Sequence, residues 1–150
     1  MVTDMSATGS ALTHFLVVED NPGDALLLRQ ALEDASEAVA VHHVENGVQA
    51  YEFLGKRGRF ADQATPDLII LDLKLPVISG HDILRTLRLD PAFARTPVVI
   101  LSSSALGPDL ATAKRNGATA YQVKPTVWAD YAPVAARLLA LAQAGRDQRT

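Results

Sequence analysis

The chain has 150 residues, 48% hydrophobic and 21% charged, with a formal net charge of -3 and a pI near 5.7. That is one ordinary domain with a real core; it excludes wholesale disorder, leaves no electrostatic footprint for nucleic acid, and has no Lys/Arg run to mark a membrane surface. With no cysteine, disulfide scaffolds, thiolate zinc sites and cysteine nucleophiles are excluded; no apolar stretch approaches a membrane span and no secretory signal opens the chain, so a cytoplasmic protein is expected.

Residues 1–13 are small, polar and aperiodic and are expected to form a flexible leader. His14 to Val18 reads as a buried strand ending in the acidic pair Glu19-Asp20. Asn21-Pro22-Gly23-Asp24 is a turn in which Asp24 or a residue before it caps a helix over Ala25–Ala35. Val39–Val44 is a second strand. Its adjacent His42 and His43 point to opposite faces, poor geometry for a shared metal, and read as ordinary edge or surface residues. A helix is expected from Val48 to Arg57, then a loop through Thr65. Asp67 to Leu75 contains the unbroken run Leu68-Ile69-Ile70-Leu71, a strand buried on both faces that delivers Asp72 at its C-terminal end.

After a loop punctuated by Pro76 and Gly80, His81–Leu89 reads as a helix with Ile83, Leu84 and Leu87 on one face. Val98–Leu101 is a fourth buried strand that ends in Ser102-Ser103-Ser104; a short helix follows from Gly107 to Arg115, with Asn116-Gly117 as its cap. Ala118–Val123 makes a fifth strand, followed by Lys124-Pro125. The last helix carries a wide apolar stripe of Trp128, Tyr131, Val134, Leu138, Leu139 and Leu141. Pro133 requires it either to kink or to begin near Asp130, and it is expected to end near Ala144-Gly145, leaving 146–150 as a flexible tail.

Five alternations of strand and helix with short connections predict an α/β fold, a doubly wound parallel five-stranded sheet over residues 14–145. In such a sheet all C-terminal strand ends lie on one edge, where ligands bind. Glu19, Asp20, Asp72, Ser102 and Lys124 are expected to meet there. Crowded carboxylates repel unless a cation shares them, and their oxygens suit a hard divalent ion such as Mg²⁺. A carboxylate cluster with one hydroxyl and one ammonium is suited to holding phosphoryl oxygens.

The segments Val17-Val18-Glu19-Asp20-Asn21, Leu71-Asp72-Leu73-Lys74-Leu75-Pro76 with Gly80, Val99-Ile100-Leu101-Ser102 and Tyr121-Gln122-Val123-Lys124-Pro125 together resemble a response regulator receiver domain of the CheY-like, flavodoxin-like (βα)5 class. The run Val18 to Asp24, the basic loop before the central strand and the Lys124-Pro125 ending are similar to single-domain regulators paired with phytochrome-type histidine kinases. The resemblance implies that Asp72 is the phosphoacceptor for a sensor histidine kinase in a phosphorelay. It implies that Asp20 binds Mg²⁺ (or Mn²⁺) directly, Glu19 through water and Lys74 through its backbone carbonyl. Ser102 and Lys124 would contact phosphoryl oxygens, Tyr121 would be the aromatic switch partner of Ser102, and the Lys124–Pro125 bond would be cis. Self-dephosphorylation is the only other chemistry implied, and no enzyme activity beyond it.

Three other readings compete. A hydrolase with an aspartate nucleophile needs a second aspartate two residues on, where this chain has Lys74; flavin binding needs a phosphate-cradling turn where it has Glu19-Asp20. A degenerate receiver acting only as a protein-interaction module is opposed by the complete site set. The ammonium of Lys74, and Ser104 at the matching position after Ser102, stand where water reaches the phosphoryl group, which predicts slow self-hydrolysis. With no effector domain expected, output would pass to a downstream or phosphotransfer protein, or through a homodimer formed by the fourth helix, fifth strand and fifth helix.

Overall fold

The computed structural model of the protein describes residues 12–149, so the expected leader up to residue 11 and Thr150 lie outside the described residues. Five strands, β1 (Thr13–Val18), β2 (Val39–Val44), β3 (Leu68–Leu71), β4 (Val98–Ser102) and β5 (Ala120–Val123), pair in parallel in the order β2-β1-β3-β4-β5. They alternate with α1 (Pro22–Ala35), α2 (Gly47–Leu54), α3 (Gly80–Leu89), α4 (Gly107–Arg115) and α5 (Tyr131–Arg149). The doubly wound parallel sheet expected from the alternation is the observed fold.

Alternation along each strand divides the core between two layers. Leu16, Val18, Ile69, Leu71 and Ile100 face Phe53 of α2 and Ile83, Leu84 and Leu87 of α3. Phe15, Val17, Leu68, Ile70 and Val99 face Leu28 and Leu32 of α1 and Tyr131, Val134 and Leu138 of α5. The helix starts are fixed by side chains that satisfy first-turn N–H groups: Asn21 accepts from Asp24 N at 3.1 Å, Asn46 from Gln49 N at 2.9 Å and Ser79 from Asp82 N at 3.2 Å.

The departures from sequence expectation have local causes. Helix α2 stops at Leu54, and the expected loop contains a 3₁₀ turn, Gly58–Phe60, whose Phe60 ring packs 5.3 Å from Phe53. Trp128 lies in a 3₁₀ turn, Trp128–Asp130, ahead of α5 and stays 47% exposed against Tyr131, so it is not part of the helical stripe. Helix α5 then starts at Tyr131, which leaves Pro133 in the first turn, where its missing N–H has no intrahelical partner to lose. The flexible tail expected from residue 146 is instead helical to Arg149. Arg146 holds it by donating to Thr13 Oγ1 at 3.0 Å and lying 3.9 Å from Asp67, which offsets the helix cost of Gly145. Thr13, expected at the end of the leader, already pairs with Val39 as the first residue of β1.

Gly80 is required by close approach. Its N–H donates to Leu73 O at 3.0 Å, and a Cβ here would overlap the Asp72 carbonyl oxygen and stand 2.8 Å from Leu73 Cα. Gly80→Ala is therefore expected to cost about 1–3 kcal/mol by overpacking. Gly107→Ala, with nothing within 4 Å of the new methyl, should stay within about 0.5 kcal/mol of wild type. Urea unfolding of the two variants checks both values.

Candidate functional site

Strand register assembles the site. Val18 pairs with Leu71 and Asp72 N donates to Val18 O at 3.1 Å, so Glu19 and Asp72, each one residue further on, leave adjacent strands side by side. Ser102 pairs with Val123, and Lys124 N donates to Ser102 O at 2.8 Å, which brings the lysine to the same edge. This edge lies where the connections from β1 and β3 diverge to opposite sides, the crevice of a doubly wound sheet. Glu19, Asp72 and Ser102 are buried; Asp20 is exposed at the rim.

The Lys124 ammonium is the centre of this group. Its Nζ lies 2.7 Å from Glu19 Oε1, 2.9 Å from Asp24 Oδ2 and 3.3 Å from Asp72 Oδ2. Burial alone would push the ammonium down, but hydrogen bonds to Glu19 and Asp24 and the charges of Glu19 and Asp72 outweigh it and hold the group above its ordinary value. Glu19 moves the other way for a carboxyl: burial pushes it up to about 7, against the Lys124 and Asn21 hydrogen bonds that favour its charged form. Carboxylate oxygens of Glu19, Asp20 and Asp72 lie within 4.8 Å of one another, an all-oxygen donor set of the kind that hard divalent cations take.

The bond from Lys124 to Pro125 is trans, since no cis peptide occurs among the described residues; this corrects the expected cis bond. Trans is the intrinsically favoured isomer of an X–Pro bond, and Lys124 reaches all three carboxylates with it. Tyr121 is half-buried, and its hydroxyl donates to Ser104 O at 2.8 Å, while Ser104 N donates to Ser102 Oγ at 3.3 Å. The expected pair of Ser102 and Tyr121 is thus linked through Ser104, and the Ser102 side chain also acts directly on the Tyr121 hydroxyl. The Ser104 hydroxyl donates to Asp109 Oδ2 at 2.6 Å and, with His81, lowers the Asp109 carboxyl below its ordinary value.

At Lys74 the main-chain N–H donates to Asp72 Oδ1 at 3.4 Å; the side chain is exposed and its charge acts on Asp109. Two participants escaped the sequence reading. His43 Nε2 lies 2.7 Å from Glu19 O, placed there because β2 runs beside β1 to the same edge. Asp24, expected only in a capping turn, leaves the cap to Asn21 and points to Lys124. Its signal in the sequence was a carboxylate one helical turn after an acidic strand end.

A sequence profile described as the response regulator receiver domain matches residues 15–130. The chain belongs to this family. It is 30% identical over 115 residues to the probable methanogenesis regulatory protein FilR2 of Methanothrix harundinacea, covering 77% of this chain and 74% of that protein. It is 32% identical over 131 residues to the two-component response regulator ARR7 of Arabidopsis thaliana, covering 85% and 62%, and 33% identical over 89 residues to the response regulator Rcp1 of Synechocystis, covering 59% and 60%. The matches therefore span less than two thirds of ARR7 and Rcp1.

Among solved structures the receiver superposes on the phosphorylated cyanobacterial phytochrome response regulator RcpA with a TM-score of 0.78 at 31% identity, covering 83% of this chain and 89% of that one. The Mn²⁺-bound form of Rcp1 gives 0.75 at 27%, covering 82% and 88%, and the bacteriophytochrome response regulator RtBRR gives 0.72 at 32%, covering 87% and 78%. No helix among the described residues is long and apolar enough to cross a membrane.

Burial of Glu19 makes receiver stability depend on pH. A carboxyl raised from 4.5 to about 7 on folding contributes stability that is complete below pH 4.5 and is lost as pH rises through about 7. Glu19→Gln stays neutral and removes that slope. In buffer free of divalent ions, urea unfolding across this window is expected to favour the variant progressively as pH rises; parallel profiles would contradict the burial effect.

Proposed function

We propose that this receiver takes a phosphoryl group from the phosphohistidine of a sensor histidine kinase onto Asp72. The observation that carries the reading is the register-fixed meeting of the buried Asp72 carboxylate with Glu19, Ser102 and the Lys124 ammonium at one sheet edge. In the transfer an Asp72 oxygen attacks phosphorus, the P–N bond to the histidine breaks, and its electron pair returns to the imidazole nitrogen. Lys124 neutralises developing charge on the phosphoryl oxygens and Ser102 donates a hydrogen bond to one of them.

Glu19 and Asp20, with Asp72 and the Lys74 carbonyl, would hold Mg²⁺ or Mn²⁺, and the oxygen donor set fits such an ion. The ion supplies charge neutralisation between the acidic cluster and the incoming phosphoryl group. A kinase of the phytochrome type is favoured by the likeness to RcpA and RtBRR, both described as phytochrome or bacteriophytochrome response regulators.

Switching follows from the bridge between Ser102 and Tyr121. A phosphoryl group that draws Ser102 inward disturbs the Ser104 main chain, which accepts from the Tyr121 hydroxyl, and so biases the packing of α4 against β5. The output surface is α4–β5–α5, and self-association through it is part of the proposal. Its apolar component is carried by Leu106 just ahead of α4, Leu110 of α4 and Val123 of β5, all exposed, since Tyr131, Val134 and Leu138 of α5 are core residues.

Asp72→Asn is expected to abolish phosphoryl transfer from an autophosphorylated bacteriophytochrome kinase, as is removal of divalent ions with EDTA. Undiminished labelling of the variant would take Asp72 out of its role and return the chain to the interaction-module reading. If the Lys74 charge shields the phosphoryl group from water, Lys74→Ala shortens the lifetime of phosphorylated protein; an unchanged decay rate would assign that lysine to Asp109 alone.

A further inference from the structure

Among the described residues, Asp24 is the one carboxylate on Lys124 that lies outside the acidic group suited to a cation. Its Oδ2 is 2.9 Å from Nζ, closer than Asp72 Oδ2 at 3.3 Å. The start of α1 puts it there: Asn21 caps, Pro22 and Gly23 open the first turn, and Asp24 follows with its N–H bound to Asn21 Oδ1. An ammonium has three N–H donors, and Glu19, Asp24 and Asp72 supply three acceptors. Glu19 and Asp72 also belong to the oxygen cluster with Asp20, so a divalent cation bound there competes with Lys124 for both. Asp24 is then the partner that Lys124 keeps.

We propose that Asp24 is a positioning residue that holds the Lys124 ammonium against α1 in the unphosphorylated receiver and releases it only to a phosphoryl group on Asp72. The inference rests on Asp72 being the phosphoacceptor. A phosphoryl group must draw Lys124 from a pair that costs something to break, so Asp24 raises the threshold for the phosphorylated state. Because Asp24 is 32% exposed, the pair is a modest one, and its removal is worth a small factor in affinity.

The test uses the full chain with saturating Mg²⁺ and beryllofluoride as the phosphoryl mimic, with binding read by fluorine NMR. Asp24→Asn is expected to tighten beryllofluoride binding about fivefold, while Asp24→Glu, which keeps the charge, stays within about twofold of wild type. In the Mg²⁺-loaded protein without beryllofluoride, the Lys124 ammonium resonance should be protected from solvent exchange in wild type and Asp24→Glu and lose that protection in Asp24→Asn. Unchanged or weaker beryllofluoride binding by Asp24→Asn, the same gain in Asp24→Glu, or equal protection in all three proteins would overturn the proposal. Failure of wild type itself to bind beryllofluoride would instead remove the phosphoacceptor reading of Asp72.

Discussion

Three carboxylates share one ammonium at the end of the sheet, and the rest of the structure can be understood as what keeps them there. Two like charges about 4 Å apart repel by roughly 4 kcal/mol at an effective dielectric constant near 20. In a flexible loop they would move apart. Here they cannot, because Val18 and Leu71 are register partners in the middle of a sheet, Asp72 N donates to Val18 O, and Glu19 and Asp72 are the next residues on each strand. The strain is relieved only by a proton on Glu19, by Lys124, or by a cation, and each of these makes the site responsive to its surroundings.

The hydrophobic layers have a corresponding role. Both faces of β1 and β3 are covered, by α2 and α3 on one side and α1 and α5 on the other, so neither strand can slide to separate the charges. The loop leaving Asp72 is stitched back by Gly80 against Leu73. Val77 at its crest takes a left-handed conformation, with φ 70°, a costly one for a β-branched residue. The fold thus fixes the acidic side of the crevice from below and behind.

Much of this was legible in the sequence because uninterrupted apolar runs such as Leu68–Leu71 have one stable use, a strand covered on both faces, and because parallel topology sends their ends to one edge. Glu19, Asp72, Ser102 and Lys124 could be placed together on that logic alone. What escaped it depended on geometry smaller than an element. Asp24 reaches Lys124 because Asn21, and not Asp24, caps α1. Phe60 turns inward because Phe53 offers a ring to pack on. The Lys124–Pro125 bond, expected cis from the resemblance, is trans, the isomer that an X–Pro bond favours intrinsically by about 0.5–1 kcal/mol. The end of α5 lies past a glycine because Arg146 finds partners on Thr13 and Asp67, distant in sequence.

Helix α4 has a different footing from its neighbours. Of its nine residues only Ala113 is buried, whereas α1 and α3 each bury four. Besides Ala113, its first turn is tied by Asp109 to the Ser104 hydroxyl and to His81, and with so little apolar area to lose on opening its free energy of local unfolding is expected toward the low end of the range within the molecule. Amide hydrogens of Leu110 to Arg115 are therefore expected to exchange ahead of global unfolding, since α4 can be repacked without first dismantling the sheet. The charges are thus confined by strands covered on both faces, while the helix beyond β4 is held by one small buried side chain and the contacts of one carboxylate.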